Sequence, residues 1–185
     1  MPTPLGHSLI GLAVMGAAPS IALDNSARGR AWLAAYCVAM ACVADLDFIW
    51  WNGNGFTISG LFHHGITHSL GFALIVAAIA WAVARLRGRT DHAWLAVLTA
   101  ALYSSHVLVD LLNEDTYPLN GMGLPALWPL TGTYFIFPIL PGVNRNQLFS
   151  WGNVEAAMLE IIFFGGMMAV VWGYRFWRSK RADVA

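Results

Sequence analysis

AWLAVLTAALYSSHVLVDLL, residues 93–112, runs for twenty positions without a lysine or arginine and carries two ionisable groups, His106 and Asp110, in its last two turns. A helix that crosses the hydrocarbon core needs about 20 mostly apolar residues, so this stretch reads as a membrane span. His106 and Asp110 stand four apart and share one helical face. A charged side chain inside a span costs roughly 2.5–3.5 kcal/mol at the centre on insertion scales, which by default marks such a pair as functional.

Four further apolar runs accompany it, at residues 6–23, 31–50, 69–86 and 154–174. Together they predict an all-α, polytopic membrane helical bundle of about five transmembrane helices, forming a single integral membrane domain over residues 1–185. Composition agrees, since 11% of residues are charged and 58% hydrophobic, against about 25% charged in soluble domains. The net charge is zero and no basic block occurs, so nothing recommends nucleic-acid binding. Cys37 and Cys42 are the only cysteines and read as small hydrophobic packers within one apolar run. The N-terminal run lacks a positively charged start and contains Pro19, and is expected to be retained as a span.

Basic residues set the expected orientation, because Lys and Arg stay on the cytoplasmic side. Arg28 and Arg30 fall in the first connection, Arg85, Arg87 and Arg89 in the third, and Arg175, Arg178, Lys180 and Arg181 after the last span. The second connection has none, and the fourth has only Arg145. Five spans put all three basic groups on one side, with the N-terminus outside and the C-terminus cytoplasmic. Residues 113–153 contain Pro118, Pro125, Pro129, Pro138 and Pro141, which argue against another full helix. That proline-rich segment is expected to be an interfacial or re-entrant lid.

The same topology sorts the ionisable residues. His7 opens the first span, Asp45 and Asp47 close the second, and His63, His64 and His68 precede the third. With His106 and Asp110 they make eight metal-competent residues from four helix ends, all at the outer face. Imidazole and carboxylate together suit zinc and other borderline divalent ions, and one zinc takes three or four such ligands. Eight donors exceed the needs of one ion, so a site with one to three divalent ions, zinc foremost, or one ion with supporting carboxylates is expected. His106 lies roughly 9 Å below the outer end of its helix at 1.5 Å per residue, near headgroup depth. Glu155 and Glu160 enter the last span from the same side, and Glu160 is the deeper. The sequence has no H-E-x-x-H helix, G-x-S-x-G elbow or phosphate-binding loop.

ADLDF at 44–48, HHGITHSL at 63–70, SHVLVDLLN at 105–113 and GMGLPALWPL at 121–130 resemble the YdjM-like family of inner-membrane, metal-dependent hydrolases. By position, the resemblance implies roles for His7, Asp45, Asp47, His63, His68, His106 and Asp110. His64 stands where that family normally has arginine. The ligand order is also distantly similar to that of zinc-dependent phospholipase C and single-strand nucleases.

The expected function is therefore a membrane-bound metal-dependent hydrolase acting outside the cytoplasm on a phosphoester such as a phospholipid. His7, Asp47, His63, His68, His106 and Asp110 are the expected metal ligands, and Asp45 or His64 the catalytic base. The lipid bilayer and a lipid or phosphoester substrate are the expected partners. A divalent-metal or proton transporter, or a non-catalytic membrane protein retaining a metal site, are the alternatives. Apart from Arg85 at the very end of the third, spans two to four carry no charged residue or histidine in their cytoplasmic halves, which favours the enzyme over the carrier.

Overall fold

The computed structural model describes residues 2–18, 26–51, 56–58, 63–116, 121–144 and 147–182. Six helical segments dominate: α1 (Pro4–Ala17), α2 (Ala27–Cys42), α3 (Leu70–Leu86), α4 (His92–Leu112), α5 (Trp151–Glu160) and α6 (Gly166–Ala182). A π turn, Ile161–Gly165, joins α5 and α6 into one rod. Their starts follow from the sequence. Thr3, Ser26, Ser69 and Ser150 cap α1, α2, α3 and α5 by accepting from backbone N–H groups in the first turn.

Contacts between helices fix their directions. Cys42 Sγ touches the Pro4 carbonyl and Trp172 Nε1 donates to the Leu12 carbonyl, so α1 runs antiparallel to α2 and parallel to the α5–α6 rod. The Tyr36 hydroxyl meets that of Thr99, and His106 donates to the Ala41 carbonyl, so α2 and α4 are parallel. Phe72 packs on Tyr103 and Trp81 on His92, so α3 and α4 are antiparallel. Five rods thus alternate in direction, as the five apolar runs predict. The basic residues of α2, α3 and α6 gather at one end and His7 and His106 at the other.

The helices vary in reach. Ala27–Asp47, His92–Leu112 and Trp151–Arg181 are long and apolar enough to cross a membrane. Pro4–Ala17 and Leu70–Leu86 are apolar but shorter. The predicted first span continues to residue 23, but residues 19–25 lie outside the described ones. The predicted second span, 31–50, is corrected at its outer end. The α-helix stops at Cys42, tightens into a 3-10 turn over Val43–Phe48, and enters a hairpin of β1 (Ile49–Trp51) with antiparallel β2 (Phe56–Ile58).

Small residues let the rods approach. A Cβ on Gly11 would lie 2.8 Å from that of Ala41 and 2.9 Å from the Cys37 carbonyl oxygen, so α1 and α2 meet backbone to backbone. Cys37, Leu98 and Leu102 form the core beside that contact.

The proline-rich segment has no regular helix among its described residues up to Ser150, and it closes helix ends. Leu70 and Gly71, in the first turn of α3, donate to the carbonyls of Ala126 and Trp128 at 2.9 and 3.0 Å. Phe137 donates to the Leu111 carbonyl, and Ile139 and Leu140 to that of Leu112, at the end of α4. These are the groups a helix terminus leaves without internal partners. Gly71 is required by the docking, because a Cβ there would lie 2.2 Å from the Trp128 oxygen. Leu130, Phe137, Ile139 and Phe149 on the segment are exposed, as suits an interfacial cover.

Candidate metal centre

His106 is the anchor from which the site can be built. Its Nδ1 lies 2.7 Å from the Ala41 carbonyl. A carbonyl only accepts, so Nδ1 carries the proton and Nε2 keeps its lone pair for the interior. One turn on, Asp110 Oδ2 lies 3.0 Å from that Nε2, without hydrogen-bond geometry. Asp110 is buried, and both its oxygens lack hydrogen-bond partners.

The 3-10 turn after α2 supplies Asp45 and Asp47. At three residues per turn, positions two apart point about 120° away from each other. Asp45 Oδ1 consequently faces inward, 3.6 Å from His106 Nε2, 3.7 Å from His68 Nε2 and 3.9 Å from His63 Nε2. Asp47 lies behind the histidines. Its Oδ1 accepts from His63 Nδ1 at 2.7 Å, while its Oδ2 accepts from the Thr67 hydroxyl at 2.7 Å and sits 3.2 Å from His68 Nδ1. Thr67 is fixed in turn by the Tyr103 hydroxyl, which donates to its carbonyl.

Four atoms, His68 Nε2, His106 Nε2, Asp45 Oδ1 and Asp110 Oδ2, are thus linked by separations of 3.7, 3.6, 3.6 and 3.0 Å. A tetrahedral ion with ligand bonds of about 2.0–2.1 Å holds its donors about 3.3 Å apart. The donor set, its spacing and its buried unpartnered atoms fit a divalent metal. The other carboxylate oxygens face His7, whose Nε2 is 3.6 Å from Asp110 Oδ1 and 4.0 Å from Asp45 Oδ2. The His7 ring stacks on that of His106 at 3.9 Å. Asp45 is the member that opens outward, its side chain 25% exposed while the imidazoles are buried.

Outside the spans, the two histidines beside Asp47 shift in opposite directions. For His68, burial pushes against the charged form, but the carboxylates of Asp45, Asp47 and Asp110 around it outweigh that and raise its pKa to about 10. Burial dominates at His63 and lowers it to about 4 despite Asp47.

The family model described as YdjM inner membrane protein matches residues 1–180. The chain belongs to the YdjM inner membrane protein family. No curated protein and no solved structure matches it. The family and the apolar helices make this a multi-pass inner-membrane protein.

In this YdjM-family chain the eight residues singled out in the sequence come together. His7, Asp45, His63, His68, His106 and Asp110 face a common interior, Asp47 stands outside it, and His64 borders it with its ring 4.4 Å from that of His63. His64 adopts a left-handed φ of 62°, which costs a non-glycine residue roughly 1–2 kcal/mol. Glu160 is buried but belongs to the frame. It accepts from the Thr3 backbone N–H at 2.8 Å and from the Thr3 hydroxyl, tying down the start of α1 one turn before His7. Glu155 is exposed, and His92 lies at the basic end, bonded to the Arg89 carbonyl. Sequence reasoning missed Asp115, which is buried with Oδ1 3.4 Å from His64 Nδ1. Its one signal is position: an acid just past the H-x-x-x-D helix, at the root of the proline-rich segment.

Proposed function

We propose that this protein is a membrane-embedded, divalent-metal-dependent hydrolase of phosphoesters, with phospholipid headgroups the first substrate to test and its site on the extracytoplasmic face. The observation that carries this reading is the buried set of His68, His106, Asp45 and Asp110 donors, separated by 3.0–3.7 Å without hydrogen-bond partners for the facing atoms. His7 and His63 extend the donor set, and Asp47 orients His63 and His68 through their Nδ1 atoms. Zinc is the leading ion, given mixed imidazole and carboxylate donors. A bound divalent ion supplies a water of near-neutral pKa and polarises a phosphoryl oxygen.

The chain's own residues do the rest. Asp45, at the open side, is placed to hold a proton from an attacking water or to steady it. The lid segment over α3 and α4 limits water entry, and its exposed Leu130, Phe137 and Ile139 suit a bilayer surface from which a lipid headgroup could arrive. The carrier alternative is disfavoured by one feature. Among the described residues the buried histidines and carboxylates lie at the His7 end, and no chain of them leads to the basic end.

Metal content of detergent-purified wild type, beside His106→Ala and Asp110→Ala, tests the centre. Wild type should retain zinc and both variants lose it; metal-free wild type after a zinc-replete preparation would end the proposal. Phosphate or headgroup release from a lipid panel tests the substrate. A reporter inserted at Gly132 should read extracytoplasmic and one after Ala182 cytoplasmic, and the reverse pattern would invert the orientation.

A further inference from the structure

His64 is the one histidine of the cluster that the mechanism above leaves without a task. It is 1% exposed, and neither ring nitrogen has a hydrogen-bond partner. Buried polar atoms are nearly always paired, and with Asp115 beside Nδ1 it is the unpartnered Nε2 that needs a reason. The ring lies 4.4 Å from His63 and 5.0 Å from His68, and one nitrogen from each of the three rings lies within 4.8 Å of the others.

Three of the other imidazoles share a pattern. His106 Nδ1 faces the Ala41 carbonyl, and the Nδ1 atoms of His63 and His68 face Asp47, leaving Nε2 for the centre. His64 repeats it, with Asp115 Oδ1 3.4 Å from its Nδ1 and Nε2 buried without a partner. Asp115 is itself buried, and the Gly123 backbone N–H donates to its Oδ2 at 3.2 Å. An oxygen behind the imidazole, as at His63, His64, His68 and His106, is the arrangement that orients metal-binding histidines.

We propose that His64 is a metal ligand which, with His63, forms an additional ion position beside the one framed by His68, His106, Asp45 and Asp110, and that Asp115 is the positioning residue that turns His64 toward it. Asp45 Oδ1, 3.9 Å from His63 Nε2 and 3.6 Å from His106 Nε2, lies between the two positions. Imidazole-rich donors suit a borderline divalent ion such as zinc or cobalt. The left-handed backbone at His64 is then the conformation that carries the ring inward. Because Asp115 sits at the root of the lid segment and bonds Gly123 within it, the additional position couples that segment to the centre.

This inference rests on the metal reading of the site, and the experiment separates the two. Full-length protein in detergent is titrated with Co²⁺, and metal content and visible absorption are measured for wild type, His64→Gln and Asp115→Asn. His64→Gln should lose one equivalent, keep the remainder and change its cobalt spectrum. Asp115→Asn should bind its last equivalent about 10–100-fold more weakly while reaching wild-type stoichiometry at saturation. Wild-type stoichiometry and spectrum in His64→Gln would overturn the assignment while leaving the main centre standing. Metal-free wild type would overturn both. Should His64→Gln fail to fold, an unchanged last equivalent in Asp115→Asn refutes the proposal alone.

Discussion

Replacing Asp47 tests the division of labour between the two aspartates of the 3-10 turn. Its Oδ1 receives the His63 Nδ1 proton at 2.7 Å, and its Oδ2 lies 3.2 Å from His68 Nδ1. Loss of such an outer partner lowers metal affinity about 10–100-fold, or about 1.4–2.8 kcal/mol at 1.4 kcal/mol per tenfold. Asp47→Asn keeps one carbonyl oxygen and can hold one of the two rings, so the expected loss is about tenfold. Asp47→Ala holds neither, and the expected loss is about a hundredfold. Asp45→Ala is a different perturbation. It deletes an oxygen 3.6, 3.7 and 3.9 Å from three imidazole nitrogens, and should remove at least one ion even at saturating zinc. Competition against a chromophoric chelator reads affinity, and mass spectrometry of the metal reads stoichiometry. If Asp47→Ala loses stoichiometry while Asp45→Ala keeps it, the roles are reversed and the inward-facing geometry of Asp45 has been misread.

Three further outcomes are expected. His68, raised to about 10, carries a proton at pH 7 that an incoming ion must displace, whereas His63, lowered to about 4, carries none. Affinity should therefore rise about tenfold per unit from pH 6.5 toward 10, and calorimetry in buffers of different ionisation enthalpy should find about one proton released from His68 per ion at pH 7. In metal-free protein the sign for stability is opposite: the His68 contribution is complete below about 6.5 and is lost as pH rises through about 10. Gly71→Ala forces a Cβ to 2.2 Å from the Trp128 oxygen, so thermal unfolding should show a loss of roughly 1–3 kcal/mol and protease should cut the 121–144 segment sooner. Glu160→Leu leaves the Thr3 N–H and hydroxyl without their acceptor, at a cost of about 1–3 kcal/mol, and a wild-type melting temperature would exclude its role as the anchor of α1.

Much of the fold was legible because lipid imposes a one-dimensional code. A span must be long and apolar, and the runs at 31–50, 93–112 and 154–174 meet long helices at those places. Where a local interaction ends a helix, the code fails. Hydropathy carries the second run to Trp50, but the backbone leaves the α-helix at Cys42 and takes the turn that aims Asp45 inward. A period of 3.6 puts Asp45 and Asp47 about 160° apart, and three residues per turn makes it about 120°. Neither number is written in the two letters D-x-D, so ligand and orienter could not be told apart there. Asp115 was invisible for another reason. It stands 51 positions from His64, and only the fold of the proline-rich segment brings the two to 3.4 Å.

The sequence by itself determined that this is a bundle of alternating apolar helices with a cluster of histidines and aspartates at one end. Insertion energetics act on composition and order along the chain, and those are fully present in the letters. Tertiary structure alone decided which nitrogen of each imidazole faces the centre, which aspartate stands behind it, and that Glu160 anchors α1. Those choices depend on separations of a few tenths of an ångström between elements distant in sequence, fixed only once the rods pack and the proline-rich segment seals their ends.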